Sequence, residues 1–447
     1  MSITINIKRG LDLNLAGAVT GSSVVDVPAS QIAIEPADFP GFTPKLAVKE
    51  GDTVSIGSPI MFDKNNINVC LTAPVSGKIA RVERGERRRI IRVVIDAESQ
   101  STAADFDVKK AKNDTAELRL LLQRSGIWAM MRQLPYDIIP APQATIANIF
   151  VTAFDSAPLA PSYDILLAGK EKEIHAGVEA LCRLTKGKVF YATRPGKHID
   201  LPKTAEHVEV SGPHPSGLPS IQAANIAPVN KGQTVVLLDA VTVARIGHLL
   251  LTGHTDWTAI IALCGSDVIT PRYVRTAAGA AIAPIIEGDV KSGHNIRIIA
   301  GDVLTGINAG KEGYLHYPYL QITVIPEGDD VAEFMGWASL SPNKMSVNRS
   351  FLSKFIPGKK FAPDARLLGG RRAMIMSEQY DKVFPMDILP EYLVKAILAR
   401  DIDKMEQLGI YEVTPADFAL CEYIDPSKLE LQKIVREGLD YLRKELE

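Results

Sequence analysis

The sequence predicts a multidomain α/β protein, and three observations carry that expectation. At 447 residues the chain is too long for one hydrophobic core, so three or four domains are expected. Short apolar alternations punctuated by glycine and proline fill residues 1–100, whereas from Ile146 to Gly265 buried strands alternate with helical patterns. From Met386 to the end the chain reads as helices.

Residues 1–100 are expected to form an N-terminal β region, opened by the alternation Ile3-Thr4-Ile5-Asn6-Ile7. Its clearest unit, residues 44–98, carries Glu50-Gly51-Asp52-Thr53-Val54, Gly57-Ser58-Pro59-Ile60 and Thr72-Ala73-Pro74-Val75-Ser76-Gly77-Lys78-Ile79. Glycine takes the positive φ that tight turns require, and the alternation between turns gives short strands. The pattern resembles the barrel-sandwich hybrid of biotinyl and lipoyl (lipoyl-like) domains. Those domains carry their group on a lysine flanked by methionines. Here the hairpin reads Phe62-Asp63-Lys64-Asn65-Asn66-Ile67-Asn68, and Lys64 sits a few residues early, so a structural domain with no attached group is expected. Arg81, Arg84, Arg87, Arg88, Arg89 and Arg92 crowd a turn marked by Gly85. They form either a solvated hairpin tip or a contact for an acidic partner or anionic lipid headgroups.

Residues 101–257 are expected to be a Rossmann-like α/β domain. A helix is predicted over 114–132, with Leu118, Leu121 and Leu122 on one face, and another over Glu173 to Leu184. Strands are predicted over Ile146 to Phe154, Asp164 to Ala168, Lys188 to Thr193, Val208 to Ser211 and Val235 to Leu238, which implies an open, partly parallel sheet. Residues 258–330 return to β character, with strands at Thr258 to Gly265, Arg272 to Gly279 and Asn295 to Gly301, and a short apolar helix or strand at Ala280 to Ile286. A small β-grasp (SLBB-like) domain fits them.

Residues 331–447 read as an irregular linker followed by a C-terminal helical domain. The linker holds a basic stretch with Lys354, Lys359, Lys360, Arg366, Arg371 and Arg372 against one Asp364. Its glycines and prolines suit an extended segment that orders on a partner. Thr414-Pro415 is a helix N-cap with proline at the first helical position, and Asp425-Pro426 is expected to repeat the device. The last helix, of about 20 residues, carries Leu431, Ile434, Val435, Leu439 and Leu442 on one stripe, expected to be core.

Several function classes are excluded. A net charge of -2 gives no basic field for nucleic acid. Cys70, Cys182, Cys264 and Cys421 are too dispersed for a local zinc or iron–sulfur cassette or a disulfide framework, so a reducing compartment is expected. No secretory signal is read at the start, and no uncharged apolar stretch is long enough to span a bilayer. The nearest, Thr234 to Gly253, is broken by Asp239, Arg245 and His248, so any membrane role is peripheral. His248 and His254 are six apart, not at the spacing of a helical zinc pair, and no nucleophile elbow or P-loop is present. No catalytic, cofactor-binding or metal residue is therefore assigned. His214, in a proline- and glycine-rich loop, is the best lone candidate for ligand contact, beside a structural role in the turn.

Four spaced motifs support a closer resemblance. They are Ile7-Lys8-Arg9-Gly10-Leu11-Asp12-Leu13 with Ala16-Gly17, Gly212-Pro213-His214-Pro215-Ser216-Gly217-Leu218-Pro219, Phe384-Pro385-Met386-Asp387-Ile388-Leu389-Pro390 and Ala419-Leu420-Cys421-Glu422-Tyr423. In this order, and with this order of domains, the chain resembles the NqrA family, a subunit of the Na+-translocating NADH:quinone reductase. That family is akin to the RnfC subunit of the Rnf complex and to the flavin-bearing NADH-oxidising subunit of complex I. The resemblance implies a peripheral subunit on the cytoplasmic side of the bacterial inner membrane, attached through integral membrane subunits. The complex passes electrons from NADH to ubiquinone and exports sodium. NADH, flavins, an iron–sulfur cluster and ubiquinone are implied for the whole complex and no cofactor for this chain, with quinone contact by this subunit left open.

The departures decide the chain's own role. In the flavin-bearing relatives a glycine-rich loop cradles the FMN phosphate with backbone N–H groups. The equivalent stretch, Arg124-Ser125-Gly126-Ile127-Trp128-Ala129-Met130-Met131-Arg132, keeps one glycine, and Trp128 and Met130 fill places where only backbone could approach. Cys421 stands alone, with Asp425 where a further cluster ligand would sit. Ser220 to Asn225 lacks the histidines of relatives. A flavin-bearing NADH-oxidising subunit of an Rnf-like complex is the alternative, and it needs the intact loop. A lipoyl-type carrier needs a lysine in carrier context.

Overall fold

The computed structural model describes residues 3–329, 341–347 and 351–446, apart from the side chain of Lys354. Residues 331–340 and 348–350 of the expected linker thus lie outside the described residues. Strands β1 (Ile3–Asn6), β2 (Val24–Asp26), β3 (Gln31–Ile34), β4 (Pro44–Leu46), β5 (Thr53–Val54), β6 (Pro59–Asp63), β7 (Cys70–Thr72), β8 (Gly77–Arg84) and β9 (Ile90–Ala97) come first. The order β3-β9-β8-β5 makes one sheet and β4-β6-β7 another, which face each other as a barrel-sandwich. Ile32, Ile60, Met61, Ile79, Val93 and Ile95 fill the space between them. Gly51 (φ +90°) and Gly57 (φ +85°) make the tight turns. Lys64 is exposed beyond β6, on a turn whose backbone is tied to Thr43.

The second unit contains α1 (Thr115–Arg124), β10 (Arg132–Leu134), β11 (Ile146–Thr152), α2 (Tyr163–Leu166), α3 (Glu171–Leu184), β12 (Val189–Thr193), β13 (Ala205–Ser211), α4 (Pro219–Ile226), β14 (Thr234–Asp239) and α5 (Ala240–Thr252). Its sheet runs β1-β13-β12-β11-β14-β10, parallel except at β10. Two expectations are corrected. The helix over 114–132 stops at Arg124, because Gly126 (φ +85°) turns the chain into a short 3-10 turn and then into β10. The strand over Asp164 to Ala168 is the short helix α2; a four-residue apolar run does not distinguish the two by period. The opening strand is also displaced. β1 leaves the N-terminal sheets and adds an edge to this one, pairing Ile3 with Val208 and Ile5 with Val210.

The third unit contains β15 (Thr258–Cys264), β16 (Arg272–Ala277), α6 (Ala283–Ile286), β17 (Ile296–Ala300), β18 (Ile307–Asn308) and β19 (Gln321–Pro326). Its sheet order is β18-β17-β19-β15-β16-β2, so β2 also serves a distant sheet. The apolar segment after residue 279 resolves as helix.

Helices α7 (Pro390–Ala399), α8 (Ile402–Gln407), α9 (Ala419–Ile424) and α10 (Leu431–Leu446) close the chain. Thr414 is the expected N-cap, with Pro415 first in a 3-10 turn, and Asp417 completes a capping box with it. Asp425 does not repeat it. Its carboxylate accepts from Ser427 N at 3.1 Å and Leu429 N at 2.8 Å, which makes a turn, and α10 starts six residues later. α10 has 16 residues, fewer than expected. Leu431, Val435, Leu439 and Leu442 are fully buried and Ile434 half-buried, so the stripe is core, shared with Phe150, Val208 and Val235 of the α/β sheet.

Candidate functional site

Three of the four units meet at one cleft of about 70 Å³. It lies at the carboxyl end of β14, next to β11. β11 has β12 on one flank and β14 on the other, so the strand order reverses there. Ligands of open α/β sheets bind at such a reversal. The barrel-sandwich lends Glu35, Asp38 and Thr72, the α/β domain lends Gly126, Met130 and Arg245, and the third unit lends His316 and Tyr317.

Two features bar a phosphate from the usual places. The start of α5 is already capped: the Asp239 carboxylate accepts from Thr242 N at 2.8 Å and from Thr242 Oγ1 at 3.1 Å. A carboxylate at the positive end of that helix repels a second anion. The loop after α1 is packed into the core. Trp128 is fully buried and its indole N–H donates to Pro140 O at 2.8 Å. Gly126 serves protein packing, since a Cβ there would stand 2.7 Å from Thr72 Oγ1.

The cleft keeps polar groups of its own. Asp38 holds His316 Nδ1 at 2.8 Å and accepts from Tyr317 N at 3.0 Å. Burial opposes the charged imidazole, but the bond to Asp38 prevails and holds His316 above its ordinary value. Burial pushes the neighbouring Glu35 carboxyl up, against the pull of His316 and Arg92. The Tyr317 hydroxyl donates to Met130 O. Arg245 lies over the Trp257 ring, 5.5 Å from its centroid. Arg245 Nε and Trp257 Nε1 are buried donors with no partner among the described residues. Nothing in the sequence groups these residues, because they come from separate domains.

His214 is a turn residue by its contacts. It is buried, its backbone N–H donates to Asp12 Oδ1 at 2.8 Å, its Nδ1 lies 3.1 Å from Ser156 Oγ, and its carbonyl accepts from Leu11 N. Burial lowers its pKa. Its loop thereby clasps the Lys8-to-Leu13 motif, so two of the four quoted motifs meet. Cys421 is buried among apolar side chains, and burial pushes its thiol well up. Asp425 is spent on its turn. No three potential metal ligands come together among the described residues, His248 and His254 included.

Three family descriptions match the chain: the NqrA N-terminal barrel-sandwich hybrid domain over residues 5–98, the NqrA second alpha/beta domain over 113–255 and the NQRA C-terminal domain (SLBB) over 260–311. The NqrA subunit of the Na(+)-translocating NADH-quinone reductase of Serratia proteamaculans is 36% identical over 453 residues, covering 99% of this chain and 100% of that one. Its counterpart in Hahella chejuensis is 37% identical over 447 residues with the same coverage. A solved chain of an NAD+-reducing [NiFe]-hydrogenase matches with a TM-score of 0.38 at 12% identity, covering 77% of this chain and 67% of that one, too remote to inform function. With full-length identity at this level and matches to three consecutive domains, the chain belongs to the NqrA family of Na+-translocating NADH-quinone reductase subunits.

Proposed function

We propose that this chain is the peripheral scaffold subunit of a Na+-translocating NADH-quinone reductase and holds no redox group itself. Electron transfer from NADH to ubiquinone and sodium export are work of the assembled complex, whose flavins and iron–sulfur cluster lie in other subunits. The observation that carries this reading is the packed loop: Trp128 and Asp239 occupy the two places where backbone N–H groups would hold a flavin phosphate. The alternative, a flavin-bearing NADH-oxidising subunit of an Rnf-like complex, needs both places open. Kinship with RnfC and the complex I flavin subunit rests on domain order alone.

Among the described residues no helix is long and apolar enough to cross a membrane. With the family membership, this supports our reading of a subunit attached to the cytoplasmic face of the inner membrane through integral membrane subunits. The test is co-purification in mild detergent with an absorbance spectrum of the separated chain. Membrane subunits should come down with it and the chain should be colourless. A stoichiometric flavin band in the isolated chain overturns the reading, and an intact mass with a lipoyl or biotinyl increment on Lys64 overturns the structural role of the barrel-sandwich.

A second reading, quinone contact, is favoured by the partnerless N–H groups of Arg245 and Trp257 at a mostly apolar cleft. A quinone carbonyl accepts hydrogen bonds and its ring suits apolar walls. Equilibrium dialysis of a short-chain quinone should show binding that Trp257→Phe weakens. Unchanged binding removes the cleft from the quinone's path.

A further inference from the structure

The hairpin of β8 and β9 ends in a bare cationic tip. The two strands pair from Gly77 with Ala97 out to Arg84 with Ile90, and residues 85–89 turn between them. Down the stem the arginines are neutralised. Arg81 Nε lies 2.7 Å from Glu83, and Arg92 lies 3.1 Å from Glu83 and 3.3 Å from Glu35. At the tip the pattern stops. Among the described residues Arg84 reaches only the Arg88 carbonyl, at 3.1 Å. The exposed side chains of Arg87, Arg88 and Arg89 have no carboxylate partner among the described residues, and Glu86 is the one acid in the turn.

A second observation is independent of charge. Arg87 (φ +51°) and Arg88 (φ +61°) both sit in the left-handed region. Consecutive positive φ values at a hairpin turn are the province of asparagine and glycine, which adopt them with little strain. Arginine does so at a conformational cost, so these two charges stand where backbone preference opposes them.

We propose that this tip is an electrostatic contact for an anionic phospholipid surface. The inference rests on the reading of the chain as a peripheral subunit beside a membrane. Shape favours lipid over protein. A stable protein interface needs an apolar, shape-matched centre, and the tip offers one exposed apolar side chain, Ile91. A narrow, convex, cationic prong suits a diffuse anionic surface. Sign favours it too, because cytoplasmic loops of membrane subunits are rich in lysine and arginine and repel the tip. Each arginine near such a surface raises partition by about fivefold at moderate salt, so three give about a hundredfold.

The test is co-sedimentation of the full chain with vesicles of phosphatidylcholine alone, or with one third phosphatidylglycerol. The chain should bind only the anionic vesicles and release at about 0.5 M salt, where screening is strong. Arg87→Ser with Arg88→Ser and Arg89→Ser should lower binding by about a hundredfold with an unchanged melting temperature. The corresponding triple lysine variant should retain binding, because lipid reads charge and not the guanidinium fork. Absence of binding to anionic vesicles, or equal binding by the serine variant, overturns the proposal. Loss of vesicle binding in the lysine variant also overturns it, because the contact would then depend on the guanidinium fork and not on diffuse charge. Assembly with the membrane subunits is scored separately. A chain that assembles yet ignores anionic vesicles defeats the lipid contact alone, and one that binds vesicles but never assembles defeats the scaffold reading.

Discussion

Trp128 shows how one side chain can turn a loop into part of the core. Its ring fills the space under the loop after α1, and its N–H is satisfied by Pro140 O. Trp128→Ala should lose about 3–5 kcal/mol by leaving a cavity and an orphaned carbonyl. Denaturant unfolding measures this, and a loss under about 1 kcal/mol would mean that the loop is not part of the core. Asp417 gives a pH prediction. Burial pushes its carboxyl up to about 7, against hydrogen bonds from Ser220 and Thr414. The folded pKa is above the unfolded one, so the folded chain binds more protons between about pH 4 and 7. This group's contribution therefore declines as pH rises through that window and is level above it. The stability of wild type minus that of Asp417→Asn should shrink from pH 4 to 7; a difference that is flat or grows over that range contradicts the raised value. The turn around His214 was legible from its prolines and glycines. The Asp38–His316 pair was not, since its partners are brought together only by packing between units; Arg245 and Trp257 are twelve residues apart, but no periodicity marks the turn that folds the ring back onto α5.

At the scale of elements, legibility follows the distance over which a signal acts. The barrel-sandwich reads clearly because each turn glycine and each alternation is local. The fate of β1 and β2 does not, because an isolated alternating strand does not name its partner, and both pair with strands far along the chain. Asp425-Pro426 misleads because aspartate before proline serves a turn as well as a helix start. The crossing of α3 and α5 is a further feature with no local signature. A Cβ on Gly247 would stand 1.7 Å from Glu173 O, and one on Gly177 2.1 Å from Val243 O. These contacts are to backbone, so no rotamer change relieves them. Gly247→Ala gains about 1 kcal/mol of helix propensity but must push the helices apart. It should be net destabilising by about 1–3 kcal/mol, read from thermal or denaturant unfolding. A stabilised variant would show that the two helices are not in this close contact.

For the whole molecule, the segment from Phe351 to Met376 is where assembly is best sought. It contains no strand or α-helix beyond one 3-10 turn, and it runs across three units, touching Leu15, Pro326 and Ser427 through backbone contacts at Phe361, Ala365 and Arg372. The sequence pointed to its basic charge as the docking feature. Part of that charge is paired with acids: Arg366 with Asp364 and, at the surface, Arg371 with Glu430, each at 2.6 Å. Beside the exposed Lys360, Arg371 and Arg372, the strap shows solvent an apolar row, with Phe355 at 71%, Leu367 at 56%, Leu368 at 52% and Ile375 at 54% exposure. Bare charge suits lipid, whereas an apolar row with a basic fringe suits an apolar, acidic segment of a partner subunit. Leu367→Asp with Leu368→Asp should therefore weaken assembly with the other subunits of the complex. Both side chains are more than half exposed, so the isolated chain should keep its stability to within about 0.5 kcal/mol. Subunit stoichiometry in the detergent-purified complex, with the melting temperature of the isolated variant, measures both. A Glu430→Gln control frees Arg371 without touching the apolar row and should assemble normally. If the double aspartate variant assembles at full stoichiometry, the strap is a structural tie between units and the partner subunits dock elsewhere.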